Sequence, residues 1–252
     1  MNRILIPLVL PVLLAACAAP TGTRPAEAHL SAPDELVAFS SHGAGAPPAA
    51  WAPLVILRNK KPTDYRLITY GGKTVLHAQA RQAASGLMHH TSIDPFAQPW
   101  IEWNWKIGGA VETYDHHYRT IEDSPARIIL GFDGDKESLP FSDQLLFETA
   151  RVLTGHDMPY ATLMYVWDRH LPVGTVLPSR RSERVKMMVV ANEATGIGNW
   201  QTFKRNIVDD YVTAFGEKPG KVIGVGLLTD TDNLGQDVEA WYGDIRLKRR
   251  TK

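Results

Sequence analysis

Cysteine is almost missing from this chain of 252 residues: Cys17 is the only one. An internal disulfide is therefore excluded, and so are the paired cysteines of zinc ribbons and redox motifs. No surplus of charge exists either, because 27 Lys and Arg face 27 Asp and Glu. That balance removes the basic footprint expected of a nucleic-acid binder. Beyond Leu14 no apolar run reaches the roughly 18 residues that suggest a membrane-spanning helix. The chain also lacks a dinucleotide loop, a phosphate-binding P-loop, a G-x-S-x-G elbow and an H-x-x-x-H spacing.

The first residues do carry a pattern. Arg3 precedes an apolar stretch from Ile4 to Leu14, and Leu14-Ala15-Ala16-Cys17 follows. This is the layout of a secretory leader, too short to span a bilayer. Leu14 to Cys17 resembles the lipobox of bacterial lipoproteins, with cleavage before Cys17 and lipidation on it. That resemblance implies acyl chains on Cys17, and more than one chain is needed for stable anchoring. Ala18, rather than Asp, follows the cysteine, which implies an outer-membrane lipoprotein facing the periplasm. The expected contact with the membrane is thus the N-terminal lipid, with no integral span.

Residues 1–16 are read as the signal peptide and 17–35 as the lipidated cysteine with an Ala/Pro/Thr/Gly-rich tether. Residues 36–252 are read as one domain. Within it short apolar runs alternate with turn signals. Leu36 to Phe39 and Leu54 to Leu57 are strand candidates, with Ser41 to Pro53 a loop between them. Asp64 to Tyr70 and Lys73 to Ala80 form a hairpin around Gly71-Gly72. Trp100 to Ile107 alternates, with Trp103, Trp105 and Ile107 on one face and Glu102, Asn104 and Lys106 on the other. Arg127–Phe132, Ala161–Trp167, Val185–Val190, Val222–Leu228 and Val238–Leu247 continue the series. Two helices are expected. One starts at Asp143 behind Ser142 and ends at Gly155, with Leu145, Leu146, Thr149, Ala150, Val152 and Leu153 as its stripe. The other runs from about Asn206 to Phe215, with Ile207, Tyr211 and Phe215 in register and Gly216 as its stop. The expected fold class is mainly all-β: a two-sheet β-sandwich of jelly-roll type with one or two short inserted helices.

From Ala84 onward the chain resembles the bacterial DUF3047 family. The pieces that carry the resemblance are Ala84-Ser85-Gly86-Leu87, Ile101 to Ile107, Glu122 to Ile128, Tyr165-Val166-Trp167, Asp209-Asp210-Tyr211, Phe215-Gly216, Thr229 to Asn233 and Ala240 to Ile245. Glu122 stands where the family is expected to have Asp, and Trp241 where a smaller residue is usual. The resemblance covers nearly all of the mature chain and brings no reaction with it.

The candidate ligand-binding residues are Trp100, Glu102, Asp123, Arg127, Asp230, Asp232 and Asn233. Asp230-Thr231-Asp232-Asn233-Leu234-Gly235 opens like a calcium loop, but its fifth position is Leu234 and its twelfth is Trp241 rather than Glu. A turn in which Asp and Asn bind their own backbone, a glycan contact and a calcium site all remain open. Asp244, near the end of the last strand, joins Asp230 and Asp232 as a calcium candidate. No other cofactor is expected. Trp103 and Trp105 share the face of Ile107 and read as core, whereas Trp100 points away beside Glu102 and is available to stack on a sugar. Trp51, Trp167, Trp200 and Trp241 read as packed. Asp123 and Arg127 flank Pro125 and form either an ion pair or, through Arg127, an anion contact. His89-His90 and His116-His117 are adjacent pairs that would point apart on a strand. Asp115, His116 and Ser124 contain the ingredients of a triad without its elbow.

Three readings follow. The leading one is a non-catalytic module, lipid-anchored, that binds a glycan or envelope component. The second is a glycan-active hydrolase using two carboxylates in one cleft. The third is a structural or assembly lipoprotein with an exposed apolar patch for a protein partner.

Overall fold

Alternating side chains and frequent turn residues predict a chain built from strands. The computed structural model bears this out over the residues it describes: 35–109, 112, 114–115, 120–121, 123–180, 182–233 and 235–249. The leader, Cys17 and the tether to residue 34 lie outside the described residues, as do Glu122 and the His116-His117 pair. The described residues belong to one unit, Ser31–Lys252.

The chain order begins with β1 (Trp51–Val55), β2 (Asp64–Tyr70), β3 (Lys73–Arg81), β4 (Ala84–Ile93) and β5 (Trp100–Ile107). A small ribbon of β6 (Tyr114–Asp115) and β7 (Thr120–Ile121) precedes β8 (Ser124–Phe132) and helix α1 (Phe141–Thr154). Then come β9 (Ala161–Trp167), β10 (Val176–Ser179), β11 (Ser182–Ala191), β12 (Trp200–Asn206) and helix α2 (Ile207–Phe215). The chain closes with β13 (Val222–Asp230), β14 (Asp237–Tyr242) and β15 (Arg246–Lys248). Seven strands form one sheet in the order β1-β4-β13-β8-β9-β11-β10. The other runs β12-β5-β14-β3-β2, with β15 also beside β5. Only β9 and β11 pair in parallel within these sheets. The fold is a two-sheet β-sandwich of jelly-roll type.

Register fixes which side chains meet between the sheets. Leu87, Leu227, Ile128, Tyr165 and Met188 form one inward row across the seven-stranded sheet. From the other sheet, Trp103 stacks on Tyr165 at 5.1 Å and on Phe203 at 4.9 Å. Trp103 and Trp105 are core residues, as their alternation with Ile107 predicts. Gly86 makes the close approach of β4 to β13 feasible, since a Cβ there would lie 2.3 Å from the Leu227 carbonyl oxygen.

Several expectations are corrected. Leu36–Phe39 is no strand; a short 3-10 turn, Phe39–Ser41, takes its place. The next strand begins earlier, at Trp51, inside the stretch read as loop. Val238–Leu247 is broken at Gly243, where a Cβ would collide with the Asn104 side chain, so β14 and β15 are separate. Helix α1 begins at Phe141 after Pro140, and Ser142 does not cap it. Its expected stripe is covered only in part: Leu145, Thr149, Val152 and Leu153 face solvent, Leu146 and Ala150 are half-buried, and Phe147, outside that stripe, is the buried residue. Helix α2 matches its expected ends. The Asn206 side chain accepts from the Val208 and Asp209 amides, and Gly216 closes it in the left-handed region at φ 73°. No helix among the described residues is long and apolar enough to cross a membrane.

Candidate functional site

Side chains one position off the inward row point to the outer face of the seven-stranded sheet. Leu228 lies opposite Arg127 there, and Arg127 opposite Val166. Two residues beyond Leu228, Asp230 falls on the same face. A cleft of about 240 Å³ opens at this point, lined by Lys60, Arg127, Ser179, Arg180, Asp230, Asp232 and Asn233 on its polar side. Its apolar side is Ile56, Leu57, Ala84, Met164, Val185, Met187 and Leu228. Five sequence-predicted residues meet here: Asp123, Arg127, Asp230, Asp232 and Asn233.

Their contacts form a charge network. Carboxylate oxygens of Asp123, Asp230 and Asp232 all lie within 4.8 Å of one another. Asp123 is fully buried and accepts from the Asn233 backbone amide at 3.2 Å and its side-chain amide at 2.9 Å. Asp230 accepts from the Ser124 amide at 3.0 Å and faces the Arg127 guanidinium at 3.3 Å. Lys60 pairs with Asp232. Burial pushes the Asp230 carboxyl up to about 7, reinforced by the charges of Asp123 and Asp232 and opposed by Arg127 and the Ser124 amide.

Among the described residues this trio is the set that could ligate a cation. A calcium ion demands six to eight oxygens. Here Arg127 and Lys60 already supply the positive charge, so the donor set suits an ion-pair network better than a calcium cage. Asp244 stands apart from it. Its carboxylate accepts from the Ser40 amide at 2.9 Å and hydroxyl at 2.6 Å, and it pairs with Arg246 at 2.7 Å. A hydrolase would use a carboxylate pair at this spacing. Asp123, however, has no exposed surface with which to meet a substrate.

Trp100 and Glu102 are not brought to this cleft. They stand on the outer face of the other sheet, where Lys204 lies 5.1 Å from the Trp100 ring centroid and 3.4 Å from Glu102. The same face carries residues that the sequence reading took as packed. One row across it, in register, is Trp200, Lys106, Trp241, His77 and Arg66. The sheet curves so far that Tyr70, from one edge strand, comes within 6.1 Å of Trp200 on the opposite edge. Trp241 stacks on His77 at 4.9 Å, and the Lys106 ammonium lies 5.0 and 5.1 Å from the Tyr70 and Trp241 ring centroids.

Beside Trp241 a second cleft, of about 400 Å³, is lined by Gln79, Arg81, Asp237 and Glu239 together with Gly108 and Gly109. Gln79 donates to Glu239 at 2.7 Å, and this bond, with His77 beyond it, holds Glu239 below the usual carboxylate range. The cleft thus offers two charged acceptors, amide and guanidinium donors and one indole. The available signal for Trp241 was its place in a strand alternating with Val238, Ala240 and Tyr242, all buried.

The model of the family described as protein of unknown function (DUF3047) matches residues 49–246. No curated protein matches the chain. Among solved structures, a family 11 carbohydrate-binding module from Clostridium thermocellum, in complex with a β-1,3-1,4-mixed-linked tetrasaccharide, has a TM-score of 0.43 at 8% identity. That match covers 87% of this chain and 96% of the module. A β-1,2-glucanase from Parabacteroides distasonis has a TM-score of 0.39 at 9% identity, over 88% of this chain and 26% of its own. SGBP-B from a xyloglucan utilization locus in Bacteroides uniformis has a TM-score of 0.34 at 8% identity, over 86% and 50%.

Proposed function

The chain belongs to the DUF3047 family of proteins of unknown function, and for this member we propose a non-catalytic, glycan-binding role in the cell envelope. The observation that carries the reading is the cleft beside Trp241. A sugar ring packs its C–H face on an aromatic side chain while its hydroxyls need donors and acceptors together. Trp241, its ring stacked on His77 with Lys106 over it, supplies an apolar wall, and Gln79, Arg81, Asp237 and Glu239 supply the second. The bond from Gln79 fixes the Glu239 acceptor before a ligand arrives, which lowers the entropy lost on binding.

The anchor belongs to the same proposal. Cleavage before Cys17 and acylation on it tie the domain to the outer membrane, facing the periplasm. Replacing Cys17 by Ser should move the protein from the membrane fraction to the soluble one. Unchanged fractionation would remove the anchor from the proposal.

The glycan reading is tested by affinity electrophoresis of the full chain in gels containing cell-wall or exopolysaccharide fractions. Retardation by at least one fraction is expected, with Trp241→Ala weakening it about tenfold or more, equal to at least about 1.4 kcal/mol. Equal retardation of wild type and Trp241→Ala, or none with any fraction, would sink it. Release of reducing ends from the retarding glycan, lost in Asp230→Asn while retardation persists, would instead establish a hydrolase working through Asp230 and Asp232.

A further inference from the structure

Of the eight large hydrophobic side chains that stand exposed among the described residues, four lie on α1: Phe141, Leu145, Val152 and Leu153. At about 100° per residue, Phe141, Leu145 and Val152 fall within roughly 40° of one another around the helix. Phe147, the buried residue, lies on the opposite side. The helix thus has two apolar faces, one packed on the protein and one bare. We infer that the bare face rests on a bilayer of zwitterionic phospholipid, with its side chains at the boundary between headgroups and acyl chains. This inference takes the lipid on Cys17, proposed above, as its premise and makes no use of the glycan cleft.

Two observations choose the bilayer over a second copy of the chain. The first is reach. Residues 18–34 alone separate Cys17 from Glu35, where the described residues begin, and they span at most about 60 Å fully extended. A domain of this size is itself roughly 45 Å across. A chain held that close presents its bare helix to lipid at high local concentration. The second is Glu148, which stands at one edge of the stripe between Leu145 and Val152 and pairs with Arg151. A seam between two helices would take this carboxylate out of water, a cost that a single ion pair does not offset. At a bilayer surface the pair stays among the headgroups, where the long stem of Arg151 lets its charge remain wet. The charges of α1 are Asp143, Glu148 and Arg151. No cationic face draws the helix to anionic lipid, so burial of the apolar side chains is the driving force.

Depth quenching in vesicles tests this. The full chain is extracted in detergent from the membranes of the cells that make it and reconstituted in phosphatidylethanolamine–phosphatidylcholine vesicles. An environment-sensitive dye is carried on Val152→Cys, with Thr69→Cys, exposed on β2 of the other sheet, as the control. Lipids spin-labelled just below the headgroup should quench the dye on Val152→Cys and not the one on Thr69→Cys. Adding Phe141→Ser and Leu145→Ser should abolish that quenching, and both positions are exposed, so the fold is not at risk. Vesicles that carry the chain but leave Val152→Cys unquenched would overturn the inference and leave the anchor in place. So would quenching that survives the two serines, or equal quenching at both dye positions. A blue shift on Val152→Cys without quenching, lost when the chain is diluted in lipid, would show that a second copy covers the helix instead. A chain recovered only in the soluble fraction would remove the anchor, and this inference with it.

Discussion

At Asp230 two opposing forces act on one carboxyl group. Burial and the charges of Asp123 and Asp232 favour its neutral form, while Arg127 and the Ser124 amide favour the ionised one. Burial wins, and its pKa rises from 3.8 to about 7. A folded carboxyl with a raised pKa holds its proton in a range where the unfolded chain has lost it. Its contribution to stability is therefore present below about pH 4 and is lost as pH rises toward 7. Asp230→Asn removes that slope. Urea unfolding at pH 4.5 and pH 8 should show the gap between wild type and variant narrowing at the higher pH; a gap that widens would mean that Arg127 controls the site instead. Single residues were also where sequence reading reached least far. Asp123 and Asp230 are 107 positions apart in the chain, and only the antiparallel pairing of β8 with β13 makes them neighbours. Trp241 shares its strand with three buried residues, and alternation there was outweighed by the general tendency of tryptophan to be packed.

Helices α1 and α2 separate the two kinds of signal that an element gives. In α2, cap, stripe and stop agree, and the packed residue Tyr211 lies 4.6 Å from Phe132, ring to ring. Asn206→Ala should lower stability by about 1 kcal/mol, the usual cost of an N-cap. An unchanged urea midpoint would show that water replaces the cap. In α1 the apolar positions are real, but little of the fold covers them: Phe141 is 78% and Val152 75% exposed. Phe141→Ser should change stability by no more than about 0.5 kcal/mol, as for other surface sites. A larger loss would show that the helix is packed in solution. Sequence periodicity reports which face is apolar, not whether anything lies against it. The strands show the same division. The β2–β3 hairpin was legible because Gly71 and Gly72 take φ values of 57° and 77° in a two-residue turn. β4 was not, because Gly86, His89 and His90 interrupt its apolar pattern, although the strand sits between β1 and β13.

Across the whole molecule the segment before β1 straps the two sheets together. Its Val37 amide donates to His89 Nε2 on β4 at 3.3 Å, and Trp51 Nε1 donates to the Val37 carbonyl at 2.8 Å. Three residues on, Ser40 is held by Asp244, between β14 and β15 of the other sheet. His89 has to be neutral at Nε2 to accept that bond, and burial lowers its pKa from the ordinary 6.5. A histidine with a depressed folded pKa contributes its stability above about pH 6.5 and loses it as pH falls, because the unfolded chain takes up the proton first. This slope runs opposite to that of Asp230, so total stability alone would blur the two. Hydrogen exchange separates them by location. After correction for intrinsic rates, the Val37 amide should lose protection between pH 7 and pH 5, while Leu227 in the core should not. In His89→Asn, which cannot be protonated in this range, Val37 protection should no longer depend on pH. A wild-type Val37 amide equally protected at both pH values would show that the strap is held through Trp51 and Asp244 alone.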